Sequence, residues 1–237
     1  MTDSIKGKFA VVLPAGGLGR RMGGSLPKQL MILGEKPVYR YSLETFLSMD
    51  EIEEVVMAVP AEWKSHFEKE LFENDSLPPN MQRKLKIVVG GKERYQSVEN
   101  GVNALTGKAE YVLVHDVARP FISKEIIINV CNTLLAKGAC LVAKPAVDTI
   151  KIAKDGCVER TIDRNTVWMA QTPQAARIET LKTLYARIKN EPLAFIPTDE
   201  ASILEHFGEP VAIVKGSSAN DKLTTPEDFE SFLKKLQ

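Results

Sequence analysis

Short apolar runs rich in Val, Ile and Leu recur along this chain of 237 residues, each separated from the next by a segment of helical periodicity. KFAVVL (8–13), EEVVMAV (53–59), LKIVV (85–89), EYVLV (110–114), CLVA (140–143) and PVAIV (210–214) read as strands. Helices are predicted near 37–49, 61–74, 93–105, 123–136, 177–190, 199–207 and 226–236. A strand that is apolar on both faces must be covered on both faces, and strands joined through helices pair in parallel. The pattern predicts an α/β fold, a Rossmann-like and mostly parallel sheet with helices on both faces. The length suffices for one large core, and no repeat, low-complexity stretch or linker divides the chain, so 1–237 reads as a single domain.

The alternation breaks between about 145 and 170. PAVDTIKIAKDGCVERTIDRNTVWMA alternates in side-chain character about the turn signal Asp155-Gly156 and reads as a protruding β-hairpin. An isolated hairpin is marginal in water, so this arm is expected to pack against something, and a second subunit is one candidate.

Charge removes several function classes. Lys plus Arg and Asp plus Glu both number 31, so the chain lacks the basic field of a general nucleic-acid binder, and any anion recognition must be local. Cys131, Cys140 and Cys157 show no C-x-x-C spacing, and the three histidines are scattered, so no zinc site can be assembled from spacing. Unpaired thiols fit a reducing cytosol. The apolar stretch near the N-terminus is too short for a signal peptide or membrane span. A cytoplasmic protein without membrane or nucleic-acid partners is expected.

In open α/β sheets ligands sit beyond the carboxyl ends of the strands. The segments found there are PAGGLGRRM after the first strand, GGKERYQS after the third, HDVARPF after the fourth and KGSSANDKLTTPEDF after the last. All carry charge, glycine or both. PAGGLGRRMGGSLPKQL (14–30) holds five glycines among Arg20, Arg21 and Lys28. Dense glycine lets a backbone approach a bulky group and aim N–H groups at it, and the cations suggest an anion. The dinucleotide fingerprint begins at Gly17 and Gly19 but meets Met22 at the third glycine, and Lys28 lies between Pro27 and Gln29 where a P-loop needs Gly-Lys-Ser/Thr. A phosphate clamp of another kind is indicated. Asp116 and Arg119 read either as an internal ion pair closing their loop or as an acidic group near ribose or metal with a cation beside it. Thr225 reads as a helix cap before Pro226, and Lys222 as facing the crevice.

Together PAGGLGRRM…PKQ, GGKERYQSV, VHDVARPF, PAVDTIK, DRNTVWMAQTPQ, TDEASILE and NDKLTTPEDF resemble, in this order and over residues 9–236, the 2-C-methyl-D-erythritol 4-phosphate cytidylyltransferases. DRNTVW and TDEAS favour that family over the related ribitol-5-phosphate enzymes. The resemblance implies transfer of CMP from CTP to a sugar-alcohol phosphate in the non-mevalonate isoprenoid route. The alternatives are the same chemistry on ribitol 5-phosphate, and a non-catalytic nucleotide-binding module. The resemblance further implies Arg21, Lys28 and Lys222 as catalytic cations. It places Pro14, Ala15, Gly16, Gly17, Gly19, Gly91, Ser97 and Asp116 at the nucleotide, and Thr149, Arg164, Thr172 and Arg119 at the acceptor phosphate. Mg²⁺ is implied, held mostly by the triphosphate with Asp116 nearby. The arm is implied to embrace a second subunit of a homodimer, delivering Thr149 and Arg164 to the neighbour's site. Asp221 departs from the family pattern, and a carboxylate there would either depress phosphate affinity or add a metal contact. His115 reads as a structural neighbour of Asp116, and Trp168 and Met169 as packing residues.

Overall fold

In the computed structural model, residues 7–17, 27–73 and 77–236 are described. The chain begins with β1 (Phe9–Pro14), followed by the short pair β2 (Ile32–Leu33) and β3 (Lys36–Pro37), then α1 (Val38–Leu47) and β4 (Ile52–Val59). Next come α2 (Lys64–Glu68), α3 (Pro79–Gln82), β5 (Leu85–Val89), α4 (Arg94–Asn103), β6 (Tyr111–Val114), α5 (Lys124–Lys137) and β7 (Ala139–Pro145). The hairpin strands β8 (Ile150–Lys154) and β9 (Cys157–Ile162) precede β10 (Trp168–Arg177), α6 (Ile178–Asn190), α7 (Glu200–His206), β11 (Ala212–Lys215) and α8 (Pro226–Lys235).

Seven strands form one sheet in the order β11-β7-β10-β6-β1-β4-β5. Every pairing is parallel except those of β10, which runs antiparallel to both β6 and β7. The alternation of side chains along β1 shows why the strands are apolar throughout. Phe9, Val11 and Leu13 join the core made with α1, α2 and α5, whereas Ala10 and Val12 join the core made with α4, α6 and α7. Both faces are covered, as the sequence pattern demands.

Three sequence expectations need correction. The helix over 61–74 is a 3₁₀ turn (Ala61–Trp63), then α2, then a π-helical turn (Lys69–Glu73). The region after the hairpin, read without a strand, contains the ten-residue β10. Its central Gln171, Thr172 and Gln174 are buried polar residues, and its register breaks between Ala170 and Gln174. The expected hairpin is present but shorter than 145–170: β8 and β9 pair with one another and turn at Asp155-Gly156 with most side chains exposed, while Pro145 and residues 168–170 belong to β7 and β10 of the main sheet. Among the described residues no helix is long and apolar enough to cross a membrane.

Chain order sets the crevice. From β1 the chain moves outward to β4 and β5, then returns to place β6 on the other side of β1. The segments leaving β1 and β6 therefore diverge, and the gap between them is where a doubly wound sheet binds its ligand.

Candidate active site

A cavity of about 210 Å³ lies in that gap. Its walls come from four separated stretches: Pro14–Gly17 with Lys28 and Gln29, residues 91–94 with Ser97, residues 116–118, and Lys222. Gln29, buried on a 3₁₀ turn, donates from Nε2 to the Ala15 carbonyl at 2.5 Å, which ties that turn to the residues just after β1. On the next wall the Gly91 N–H donates to Ser97 Oγ at 3.0 Å. A Cβ built on Gly91 would lie 2.3 Å from Gln96 Cβ, so only glycine lets this backbone fold onto the first turn of α4. Glu93 and Gln96 close a capping box there, and the N-terminal end of α4 faces the cavity with its partial positive charge.

Charged side chains meet on the far side. Lys222 Nζ donates to Asp116 Oδ2 at 2.6 Å, and Arg94 Nε donates to Oδ1 at 3.0 Å. Lys28 Nζ donates to the Leu223 carbonyl at 2.8 Å, so Lys28 is held against the segment that carries Lys222, from the opposite end of the chain. Burial pushes the Asp116 carboxyl up, but Arg94 and Lys222 outweigh it and hold the group well below the usual carboxylate range. Burial would lower the Arg94 pKa, yet Glu200 and Asp116 hold it above its ordinary value, so Arg94 stays cationic. Beneath them, the Asp116 N–H donates to Thr172 Oγ1 at 3.1 Å, and Thr172 Oγ1 lies 3.0 Å from His115 Nδ1. His115 Nε2 faces the Arg119 carbonyl at 3.0 Å and must carry the proton, leaving Nδ1 to accept from the threonine. Burial pulls this imidazole down to about 4.

Three lysines (Lys28, Lys92 and Lys222), Arg94, a helix N-terminus and glycine-rich backbone surround a cavity that also carries Asp116 and Glu93, an arrangement suited to an anion. The sequence profile of 2-C-methyl-D-erythritol 4-phosphate cytidylyltransferase matches residues 9–233. The chain belongs to this family. A cytidylyltransferase of that name from Syntrophus aciditrophicus is 37% identical over 236 residues, covering 98% of each chain. The chloroplastic enzyme of rice is 39% identical over 221 residues, covering 93% of this chain and 71% of its own. Among solved structures, the 4-diphosphocytidyl-2C-methyl-D-erythritol synthase of Anaerococcus prevotii superposes with a TM-score of 0.81 at 29% identity, covering 97% of this chain and 98% of its own. The 2-C-methyl-D-erythritol 4-phosphate cytidylyltransferase of Francisella tularensis gives 0.77 at 30% identity, covering 94% and 97%.

Within this cytidylyltransferase fold the expected site residues divide into three groups. Pro14, Ala15, Gly16, Gly17, Lys28, Gly91, Ser97, Asp116 and Lys222 all line the cavity. Arg21 and Gly19 lie outside the described residues. Thr172, Arg119, Thr149 and Arg164 do not line it. Thr172 is buried under Asp116. Arg119 forms no closing pair with Asp116; its Nη1 donates to the Asn220 carbonyl at 2.9 Å and its Nη2 to the Ala170 carbonyl at 3.4 Å. It braces the Lys222 segment against β10. Arg164 donates to the Val147 carbonyl at 2.7 Å at the base of the arm, while the Asp163 carboxylate caps the Asn165 N–H. Thr149 is exposed. Trp168 and Met169, read as packing residues, are 40% and 39% exposed.

Asp221 is also resolved. Its carboxylate pairs with Lys144 at 2.6 Å and accepts from Gln171 at 3.2 Å, and it does not line the cavity, so it clamps the Lys222 segment to β7 and β10. Arg94 and Glu200 were not singled out by sequence, although both stand in the motifs GGKERYQS and TDEASILE. Glycine density marked the first loop, while a lone arginine beside Lys92 and Glu93 carried no comparable signal. Among the described residues no group of three His, Cys, Asp or Glu could hold a metal ion, and both Asp116 oxygens already face cations. Asp116 and Glu93 are the two carboxylates that line the cavity, too few among the described residues to hold a divalent cation without a ligand that brings its own oxygens.

Proposed function

We propose that this protein transfers CMP from CTP to 2-C-methyl-D-erythritol 4-phosphate, giving 4-diphosphocytidyl-2-C-methyl-D-erythritol and pyrophosphate in the non-mevalonate isoprenoid route. The observation that carries the reading is the convergence of Lys28, Lys222 and Asp116 on one cavity whose other wall is the glycine-rich backbone of residues 15–17. The backbone of residues 15–17, with Gly91 and Ser97, suits a base pocket that reads exocyclic groups and excludes purines by size. Asp116 suits the ribose. An oxygen of the acceptor phosphate forms its bond to the α-phosphorus as the bond to the bridging β-phosphate oxygen breaks, and the electron pair leaves with pyrophosphate. The nucleophile is already an anion, so no general base is needed, and catalysis reduces to positioning and charge stabilisation. Mg²⁺, when bound with CTP, supplies further neutralisation of the triphosphate charge.

Lys28 performs that stabilisation by exchanging the Leu223 carbonyl for phosphate oxygens, and Lys222 keeps one donor on Asp116 while offering its others to the phosphates. Arg21, from the same glycine-rich segment, is assigned the same work on the basis of the motif. The exposed arm and the exposed Val147 and Val158 fit a homodimer in which the arm offers Thr149 and Arg164 to the neighbour's acceptor phosphate. Three unpaired cysteines fit a cytoplasmic setting. Pyrophosphate release from CTP, assayed side by side with 2-C-methyl-D-erythritol 4-phosphate and ribitol 5-phosphate, tests the reading. Faster turnover with the erythritol acceptor is expected; faster turnover with ribitol 5-phosphate would overturn it.

A further inference from the structure

Arg94 is placed between two carboxylates from distant parts of the chain. Its Nη1 lies 2.7 Å from Glu200 Oε1 and 3.0 Å from Oε2, while Nε and Nη2 each lie 3.0 Å from Asp116 Oδ1. Asp116 is left with one oxygen for Arg94 and one for Lys222. Glu200 is 1% exposed, and Arg94 is the cation that faces it. The α7 end that carries Glu200 is itself pinned: Gln174 Nε2 donates to Asp199 at 2.8 Å and the Ala201 N–H donates to Gln174 Oε1 at 2.8 Å. The line runs from β10 through α7 and α4 to Asp116 and ends on Lys222.

We propose that Arg94 and Glu200 are positioning residues for the transfer reaction: Glu200 holds the Arg94 guanidinium so that it fixes the Asp116 carboxylate, and Asp116 in turn sets where Lys222 presents its ammonium to the nucleotide phosphates. The inference rests on the reading above, in which Asp116 and Lys222 serve the nucleotide. A planar guanidinium presents donors to both carboxylates in a fixed geometry, which the three rotatable donors of a lysine ammonium do not reproduce. Glu200 does not line the cavity, so its effect travels through Arg94. The remaining charged neighbours of Asp116 are Lys222 and Arg119, with His115 adjoining in the chain, and none of them reaches Glu200.

The test uses Arg94→Gln, Arg94→Lys and Glu200→Gln in the full chain. Turnover is expressed per CTP-binding site, counted by calorimetric titration with CTP, so that loss of folded protein is removed from the comparison. Arg94→Gln should lower kcat per site by about 10- to 100-fold, the loss expected from a misplacement near 1 Å. Arg94→Lys should not rescue it, and Glu200→Gln should lower kcat by a smaller factor with the KM for CTP changed less than kcat. Folded Arg94→Gln and Glu200→Gln proteins with parental kcat per site would overturn the proposal, as would full rescue by lysine. If Arg94→Gln does not fold, Glu200→Gln, which keeps shape and loses only charge, decides alone. A parent chain that binds CTP without releasing pyrophosphate would refute the transfer reaction instead. The CTP affinity of Arg94→Gln would then decide the positioning claim, an unchanged value counting against it.

Discussion

Adding one methyl group to Gly101 should both destabilise the protein and slow it. Gly101 lies in α4 against β1, where a built Cβ would stand 2.5 Å from Val12 Cγ1 and 3.2 Å from Cγ2. Val12 is fully buried in the central strand and cannot yield. Ordinary carbon contacts are near 3.5 Å, so α4 must retreat by about 1 Å. Overpacking of this kind costs about 1–3 kcal/mol, whereas replacing glycine by alanine inside a helix returns about 1 kcal/mol. Gly101→Ala should therefore lose up to about 2 kcal/mol in urea denaturation. Because Arg94 and Ser97 ride on the same helix, a 1 Å retreat should also reduce pyrophosphate release by up to about 100-fold. The control is Val12→Ala, which costs stability by itself but empties the space. In that background Gly101→Ala should be neutral or stabilising by up to about 1 kcal/mol, a coupling typical of residues in contact. Equal destabilisation in both backgrounds, or a more stable and fully active single variant, would refute the packing argument.

Three further perturbations probe other parts of the structure. Lys28→Ala should leave the urea midpoint nearly unchanged and lower turnover by about 10²–10³, as loss of a charge-stabilising donor does; near-parental turnover would remove Lys28 from the mechanism. His115 is neutral and buried, with a folded pKa of about 4 against an unfolded value of 6.5, so between those values the unfolded chain binds more protons and stability rises with pH. Stability in metal-free buffer should thus fall by about 2 kcal/mol from pH 8 to pH 5, and His115→Gln should lose that dependence; identical pH profiles would contradict it. Arg164→Ala should chiefly raise the KM of the sugar-alcohol phosphate, and mixing it with Arg21→Ala should restore activity through hybrid dimers. A mixture as inactive as its parts would end the shared-site assignment.

Most of the sheet was legible because parallel strands covered on both faces are written as continuous apolar runs, and β1, β4, β5 and β6 fall within a residue or so of their predicted bounds. The crevice was legible for a related reason, since the segment leaving each strand's carboxyl end must face it. Structure held by distant partners escaped. Pro173 with Gln171, Thr172 and Gln174 reads as a loop, and it becomes a central strand only because His115, Asp199 and the Ser217 segment satisfy its buried polar groups. Arg94 and Glu200 are 106 positions apart, and nothing local in either motif announces the ion pair. Asp221 misled for the same reason: beside Lys222 in sequence, it answers to Lys144 in space.

A crystal structure with CTP and a divalent cation tests the convergence of cations most directly. The expected result is a cytosine against residues 15–17 and Gly91, with Lys28 Nζ moved off the Leu223 carbonyl, Lys222 Nζ still held by Asp116, and both ammonium groups within hydrogen-bond distance of phosphate oxygens. Nucleotide bound elsewhere, or Lys28 still on the Leu223 carbonyl with the phosphates pointing away from both lysines, would contradict it.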